Sequence, residues 1–141
     1  MIVADTGAVV ALIDGDDRHH RALRRAFEAD PGAWILPWAI LSEVDHIVAS
    51  RLGRDVARSF RADVASGAWA VEWDGVPDLA RALELDARYA DLGLGLVDAI
   101  VMAVAERIGA RAIATLDLRD FAAVELDGAP ELWPRDLTGA S

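Results

Sequence analysis

The chain contains no cysteine and no lysine, and all 14 of its basic residues are arginine. Without cysteine there is no disulfide framework, no thiolate nucleophile and no Cys-ligated zinc. Without lysine there is no GK[ST] phosphate loop and no Schiff-base amine, so P-loop NTPases and imine-forming enzymes fall away. Phosphoryl-aspartate receivers and haloacid-dehalogenase-like phosphatases normally keep a lysine beside their aspartate. The latter also want D-x-D-x-[TV], whereas Asp5 is followed by Thr6 and Gly7. No uncharged apolar run reaches the roughly 18 residues of a membrane span, because Asp98 and Glu106 interrupt the best candidate. The opening "MIVADTGAVV" has no basic stretch and reads directly as a strand, which argues against a secretory signal. Repeats, low-complexity tracts and linkers are missing too, so residues 1–141 are expected to form one cytoplasmic domain.

What is present is a hydrophobic content of 54% with 27% charged residues, the composition of a folded protein. The net charge of -10 argues against broad electrostatic affinity for nucleic acid. It leaves room for metal ions or local arginine clusters to offset the acid.

Hydrophobic patterning alternates short strands with helices. Met1–Ala4 reads as a buried strand, followed by a helix over Gly7–Ile13 that Asp5 and Thr6 can cap. Residues 16–30 read as a polar amphipathic helix and Ala33–Pro37 as a strand. Ile40, Leu41, Val44, Ile47 and Val48 then form a helical stripe ending at Gly53, and Arg54–Ser66 continues as a second helix. Trp69, Val71 and Trp73 alternate as in a strand, with all three on one packed face. Pro77–Ala90 is helical, and Val97–Ile108 is apolar nearly all round, as a covered central helix would be. Arg111–Leu116 is a strand, and residues 125–133 supply a weak last strand or tail. This order predicts an α/β fold with a mainly parallel sheet of about 4–5 strands and helices on both faces.

Acids stand in unusual places on this frame. Sites in open α/β sheets form beyond the carboxyl ends of strands, where Asp5 and Asp117 lie. Asp98 opens the most apolar helix of the chain, where it can act as a cap or as something more. Glu43 and Asp45 each lie about 100° from Val44 round their helix, so spacing cannot choose between them. Asp117 and Asp120 sit in "TLDLRDF", which reads as an acidic turn. Taken singly, caps and solvated turns explain every one of these residues. Together they would converge, and at about 4 Å and an effective dielectric near 20 each like-charged pair repels by roughly 4 kcal/mol. Such a cluster holds protons or binds a hard divalent cation, and with no cysteine Mg²⁺ or Mn²⁺ suits it better than zinc.

The segments "IVADTGAVVALID", "PWAILSEVDHIV", "GLVDAIVMAVAERIGA" and "AIATLDLRDF", in this order, resemble the PIN-domain ribonucleases. Within that family they look most like the VapC toxins of bacterial toxin–antitoxin pairs, and the resemblance runs from Ile2 to Phe121. It implies a PIN-like fold and a metal site built from Asp5, Glu43 and Asp98, with Asp5 and Asp98 as the main ligands of Mg²⁺ or Mn²⁺. Asp45 becomes a bystander. The fourth acid corresponds to Asp117 or Asp120, with Asp117 nearer the strand end. Thr6 and Thr115 match small hydroxyl positions that orient a carboxylate or a phosphate, whereas Gly7 stands where the family commonly has serine.

The implied activity is hydrolysis of RNA phosphodiester bonds, leaving a 5′-phosphate and a 3′-hydroxyl. Substrate grip would have to come from arginine, with Arg18, Arg51, Arg54 and Arg119 as candidates and solvated surface charge as the bland reading of each. His19 and His20 read as an exposed helix start. The resemblance also implies a VapB-type antitoxin partner and a homodimer. Residues Arg18–Asp30 and the stripe Ile40–Val48 would then wall the partner's groove. Two competing readings use the same residues: a non-catalytic PIN-fold binding domain, and a DNA nuclease or phosphatase using the same cleft.

Overall fold

A computed structural model of the chain describes residues 1–138. Five strands form one sheet: β1 (Ile2–Ala4), β2 (Trp34–Pro37), β3 (Ala70–Glu72), β4 (Ala112–Ala114) and β5 (Glu131–Trp133). Their order is β3-β2-β1-β4-β5 and every neighbouring pair is parallel. In the centre, Ile2 pairs with Trp34 on one side and Ala112 on the other. A central strand covered on both faces must be apolar throughout, and β1 and β4 are buried at every position.

The helices are α1 (Thr6–Ile13), α2 (His20–Ala29), α3 (Leu41–Leu52), α4 (Arg54–Ser66), α5 (Val76–Arg88), α6 (Leu96–Arg107) and α7 (Leu118–Phe121). Crossovers carry the chain from β1 outward to β2 and β3, then back past β1 to β4 and β5 on its other side. Packing follows that division: α1 lies on α2 and α3, α3 on α4, and α5 on α6. α6 also touches β1 and β2, and its residues Ala99–Ala105 are all buried, so the covered central helix is present as the pattern predicts.

Several local expectations need correction. α2 begins at His20, because the carboxylates of Asp14 and Asp17 accept from the backbone N–H groups of Asp16 and His19 and hold the preceding residues in turns. His20 is half-buried, with Nδ1 2.8 Å from the Ala11 carbonyl, and so is not an exposed helix start. Trp69 and Trp73 do not share one packed face. Trp69 packs on Phe27 with ring centroids 5.2 Å apart, whereas Trp73 lies just past β3 and is 66% exposed. Ile40, Val44 and Val48 are wholly buried against α1, while Leu41 and Ile47 of the same stripe are half-buried. "TLDLRDF" is no simple turn either, since Leu118–Phe121 closes a helical turn with Asp117 as its N-cap. Among the described residues no helix is long and apolar enough to cross a membrane.

Candidate active site

The sheet reverses its direction of winding at β1, where successive crossovers leave toward β2 on one side and β4 lies on the other. Ligand sites form at such switch points, beyond the carboxyl ends of the strands. Asp5 follows β1 directly and Thr115 follows β4, and the two side chains meet there. The Thr115 hydroxyl donates to Asp5 Oδ2 at 2.9 Å, and the Thr6 N–H donates to Asp5 Oδ1 at 2.8 Å. Thr115 Oγ1 in turn accepts from the N–H of Asp117 at 3.1 Å. Asp5 is only 6% exposed. Burial pushes its carboxyl above the usual aspartate range; the hydrogen bonds from Thr6 and Thr115 work against that rise, and the charges of Asp117 and Glu43 add to it.

Asp98 enters from the opposite layer, on the first turn of α6. It does not act as a cap: Gly95 holds the N-cap position, without a side-chain hydrogen bond, and no N–H donates to Asp98 among the described residues. Burial, then the charges of Asp5, Asp117, Asp120 and Glu43, push the Asp98 carboxyl up to about 7. Asp117 caps α7 by accepting from the Asp120 N–H at 3.3 Å. The three-residue spacing turns Asp120 back toward the same cleft. One oxygen each of Asp98, Asp117 and Asp120 lie within 4.8 Å of one another. Asp120 Oδ1 is buried there without a hydrogen-bond partner.

Glu43 and Asp45 have different partners. Asp45 takes a bidentate contact from Arg61 of α4, at 2.6 and 3.1 Å. Glu43, exposed on the first turn of α3, accepts the Thr6 hydroxyl at 2.7 Å. Both threonines therefore orient carboxylates. The geometry brings Asp117 and Asp120 to Asp98 together and does not separate them, while Asp5 stands beside that triple and outside it.

Two acids elsewhere, one half-buried and one buried, show by contrast what is unusual here. Glu106 on α6 receives Arg81 at 2.7 and 3.1 Å, and Asp78, 1% exposed, receives Arg107 at 2.7 and 3.0 Å. Among the described residues no arginine pairs with Asp5, Glu43, Asp98, Asp117 or Asp120. These five acids influence one another electrostatically, with no protein cation as a partner among the described residues. An oxygen-only donor set of this kind, with one buried oxygen lacking any partner, fits a hard divalent cation.

The arginine candidates separate. Arg18 lines a cleft of about 240 Å³ with His19, Thr115, Leu116, Leu118, Pro134 and Arg135, and none of the five acids lines it. Its Nε donates to His19 Nε2 at 3.1 Å. Arg119 is exposed on α7 between the two acids, and Arg51 is exposed on the last turn of α3. Arg54 opens α4. Pro134 and Arg135 were not anticipated, because they lie past β5 in a segment whose pattern gives only a weak strand or a tail.

Known proteins resemble this chain in sequence and in fold. The chain is 29% identical over 123 residues to Ribonuclease VapC26 of Mycobacterium tuberculosis, covering 87% of this chain and 91% of that protein. Its fold matches the crystal structure of M. tuberculosis VapC20, described as a sarcin-ricin loop cleaving toxin, with a TM-score of 0.78 and 24% identity over 92% of this chain and 99% of the other. It also matches the DNA-bound VapBC structure from Salmonella typhimurium, with a TM-score of 0.70 and 16% identity over 93% and 95% of the two chains. The model of the PIN domain family matches residues 2–126, the part of the chain that carries all five acids, and the chain belongs to that family.

Proposed function

We propose that this protein is a divalent-metal-dependent endoribonuclease of the VapC type, held in check by an antitoxin. The observation that carries the reading is the cluster of Asp5, Glu43, Asp98, Asp117 and Asp120 without a cationic partner. The likeness to VapC26 over most of both chains gives the activity its class.

Asp98, Asp117 and Asp120 would supply oxygens to Mg²⁺ or Mn²⁺, with Asp5 completing the set. A carboxylate oxygen has two lone pairs, so the bonds from Thr6 and Thr115 fix Asp5 without exhausting it. A divalent cation so held offsets phosphate charge and lowers the pKa of water. The chain's own residues do the rest. Thr6 and Thr115 set the angles of Glu43 and Asp5, and Glu43, which is exposed, is placed to accept a proton from the attacking water. Water oxygen would bond to phosphorus, its proton passing to Glu43, while the bond to the 3′ oxygen breaks and that oxygen takes a proton from solvent, leaving a 3′-hydroxyl and a 5′-phosphate. Arg18, beside Thr115, grips the substrate next to the reacting phosphate, and Arg51 and Arg119 reach flanking ones.

The antitoxin would insert a basic side chain among the unpaired acids, supplying the cation that the chain lacks. The protein is a cytoplasmic homodimer in this reading. Val76, Leu79, Leu83 and Leu96 form an exposed apolar face on α5 and α6. The protruding Leu83 and a cleft of about 360 Å³ beside it lie on the same face, as a self-complementary twofold interface requires.

The test is incubation of the protein with structured and single-stranded RNA, with Mg²⁺, Mn²⁺ or chelator, beside the Asp98→Asn variant. Metal-dependent cleavage by the wild type alone is expected. Equal cleavage by both proteins, or none with any metal, refutes the nuclease reading. Cleavage of DNA in place of RNA would favour the DNA-nuclease alternative.

A further inference from the structure

In a chain of net charge -10, three arginines gather on one helix, α4. Arg54, Arg58 and Arg61 recur on α4 at i, i+4 and i+7 and so project from one side of the helix. With His46, Ala49 and Ser50 of α3 they line a cleft of about 440 Å³, and no acid lines it. Asp45 neutralises Arg61 and fixes it as part of the wall. Arg54 and Arg58 make no side-chain hydrogen bond or ion pair among the described residues, so both guanidinium groups face the cleft unspent. The acids of α4, Asp55 and Asp63, lie about 100° and 180° round the helix from Arg54.

Helix α3 runs from the acidic centre, where Glu43 stands, to this cleft, which His46, Ala49 and Ser50 line. Glu43, His46 and Ser50 form an exposed stripe of α3 at i, i+3 and i+7. Glu43 is anchored to Thr6 at the centre, and Ser50 lies about 10 Å further along the helix axis. A strand whose reacting phosphate sits at the acids is therefore led along α3 to Arg54 and Arg58. Guanidinium forks match phosphate oxygens, and no aromatic ring lines the cleft to stack on a base.

We propose that the α3–α4 cleft binds the phosphodiester backbone of substrate RNA a few nucleotides from the cut, through Arg54 and Arg58 with His46 and Ser50. The proposal rests on the ribonuclease reading, and it predicts grip without base preference. It is tested by fluorescence anisotropy on a labelled oligoribonucleotide of about 12 nucleotides, with Asp98→Asn as the background so that nothing is cut. Adding Arg54→Ser with Arg58→Ser should weaken binding about 10- to 30-fold at 0.1 M salt. The slope of log K against log[salt] should flatten by about 1.4, the value for two lost single-strand phosphate contacts. Lysine at both positions should keep the slope. In the active protein the serine pair should raise KM for the long substrate and leave one of about 3 nucleotides unaffected, since the latter cannot reach the cleft. Unchanged affinity and slope overturn the proposal, as does an equal loss on the short substrate. Unchanged RNA binding with weakened capture of an acidic partner protein also overturns it and assigns the cleft to that partner. A changed slope with no cleavage by the wild type would sink the nuclease reading alone and leave the cleft an RNA site.

Discussion

Replacing Asp98 with asparagine keeps the shape of the side chain and removes its charge. Burial and four neighbouring acids push the Asp98 carboxyl up to about 7, from an ordinary value of 3.8. Between about pH 4 and pH 7 the folded protein thus keeps a proton that the unfolded chain has released. The unfolded state binds fewer protons, so stability falls as pH rises through this window and stays low above it. At about 1.4 kcal/mol per pH unit the full gap is about 4 kcal/mol. Asp98 is only half-buried, and solvent screening brings the expected effect down to about 1–2 kcal/mol. In chelator at pH 8, Asp98→Asn is therefore expected to exceed the wild type in Tm by roughly 3–8 °C, with the gain shrinking toward pH 4. Millimolar Mg²⁺ or Mn²⁺ should reverse the order, because a bound cation stabilises the folded wild type by RT ln(1 + [L]/Kd). Circular dichroism melts of both proteins at pH 5 and pH 8, with and without metal, give all the comparisons. An asparagine variant less stable than wild type in chelator at pH 8 would show that Asp98 holds the helix together. A gain of equal size at both pH values would show that charge has nothing to do with it.

Other expectations follow from the same contacts. Thr115→Val removes the donor to Asp5 Oδ2 and the acceptor for the Asp117 N–H, and should cut metal affinity or cleavage about 10- to 100-fold in a metal titration. Asp78→Ala leaves the Arg107 guanidinium without its buried partner and should cost about 2–3 kcal/mol in urea unfolding, while metal-dependent cleavage per folded molecule stays near wild type. Asp117→Asn and Asp120→Asn, measured side by side in metal titrations, should each weaken binding; loss with only one of them would identify the fourth acid. Leu83→Arg should shift the protein from dimer to monomer in sedimentation velocity, and a variant that stays dimeric removes α5 from the interface.

Much of the scaffold is legible in sequence because burial on both faces leaves a strong mark. β1 and β4 are uninterrupted apolar triplets, and the run through Ala99–Ala105 has no polar side, so parallel strands and a covered helix follow from pattern alone. The weaker readings failed where short-range polar bonds compete with periodicity. Asp14 and Asp17 delay the start of α2, and Asp117 turns an apparent acidic loop into the cap of α7. At the site, the helical wheel leaves Glu43 and Asp45 equivalent. What separates them is Arg61, 16 residues away on another helix, and no local pattern reports such a partner.

The same point explains why the acids in the apolar run could not be told apart by inspection. Asp98 and Glu106 both interrupt one hydrophobic helix, yet their surroundings are opposite. Arg81 holds the Glu106 carboxyl below the ordinary glutamate range, while burial and like charge hold Asp98 above the aspartate range. The pairs that tie the far end of α6 to α5, Arg81 with Glu106 and Asp78 with Arg107, secure the helix from the end opposite Asp98. A helix anchored in this way resists the repulsion at its first turn, which would otherwise swing Asp98 away from Asp117 and Asp120. Charge balance at one end of α6 is thus a condition for leaving charge unbalanced at the other.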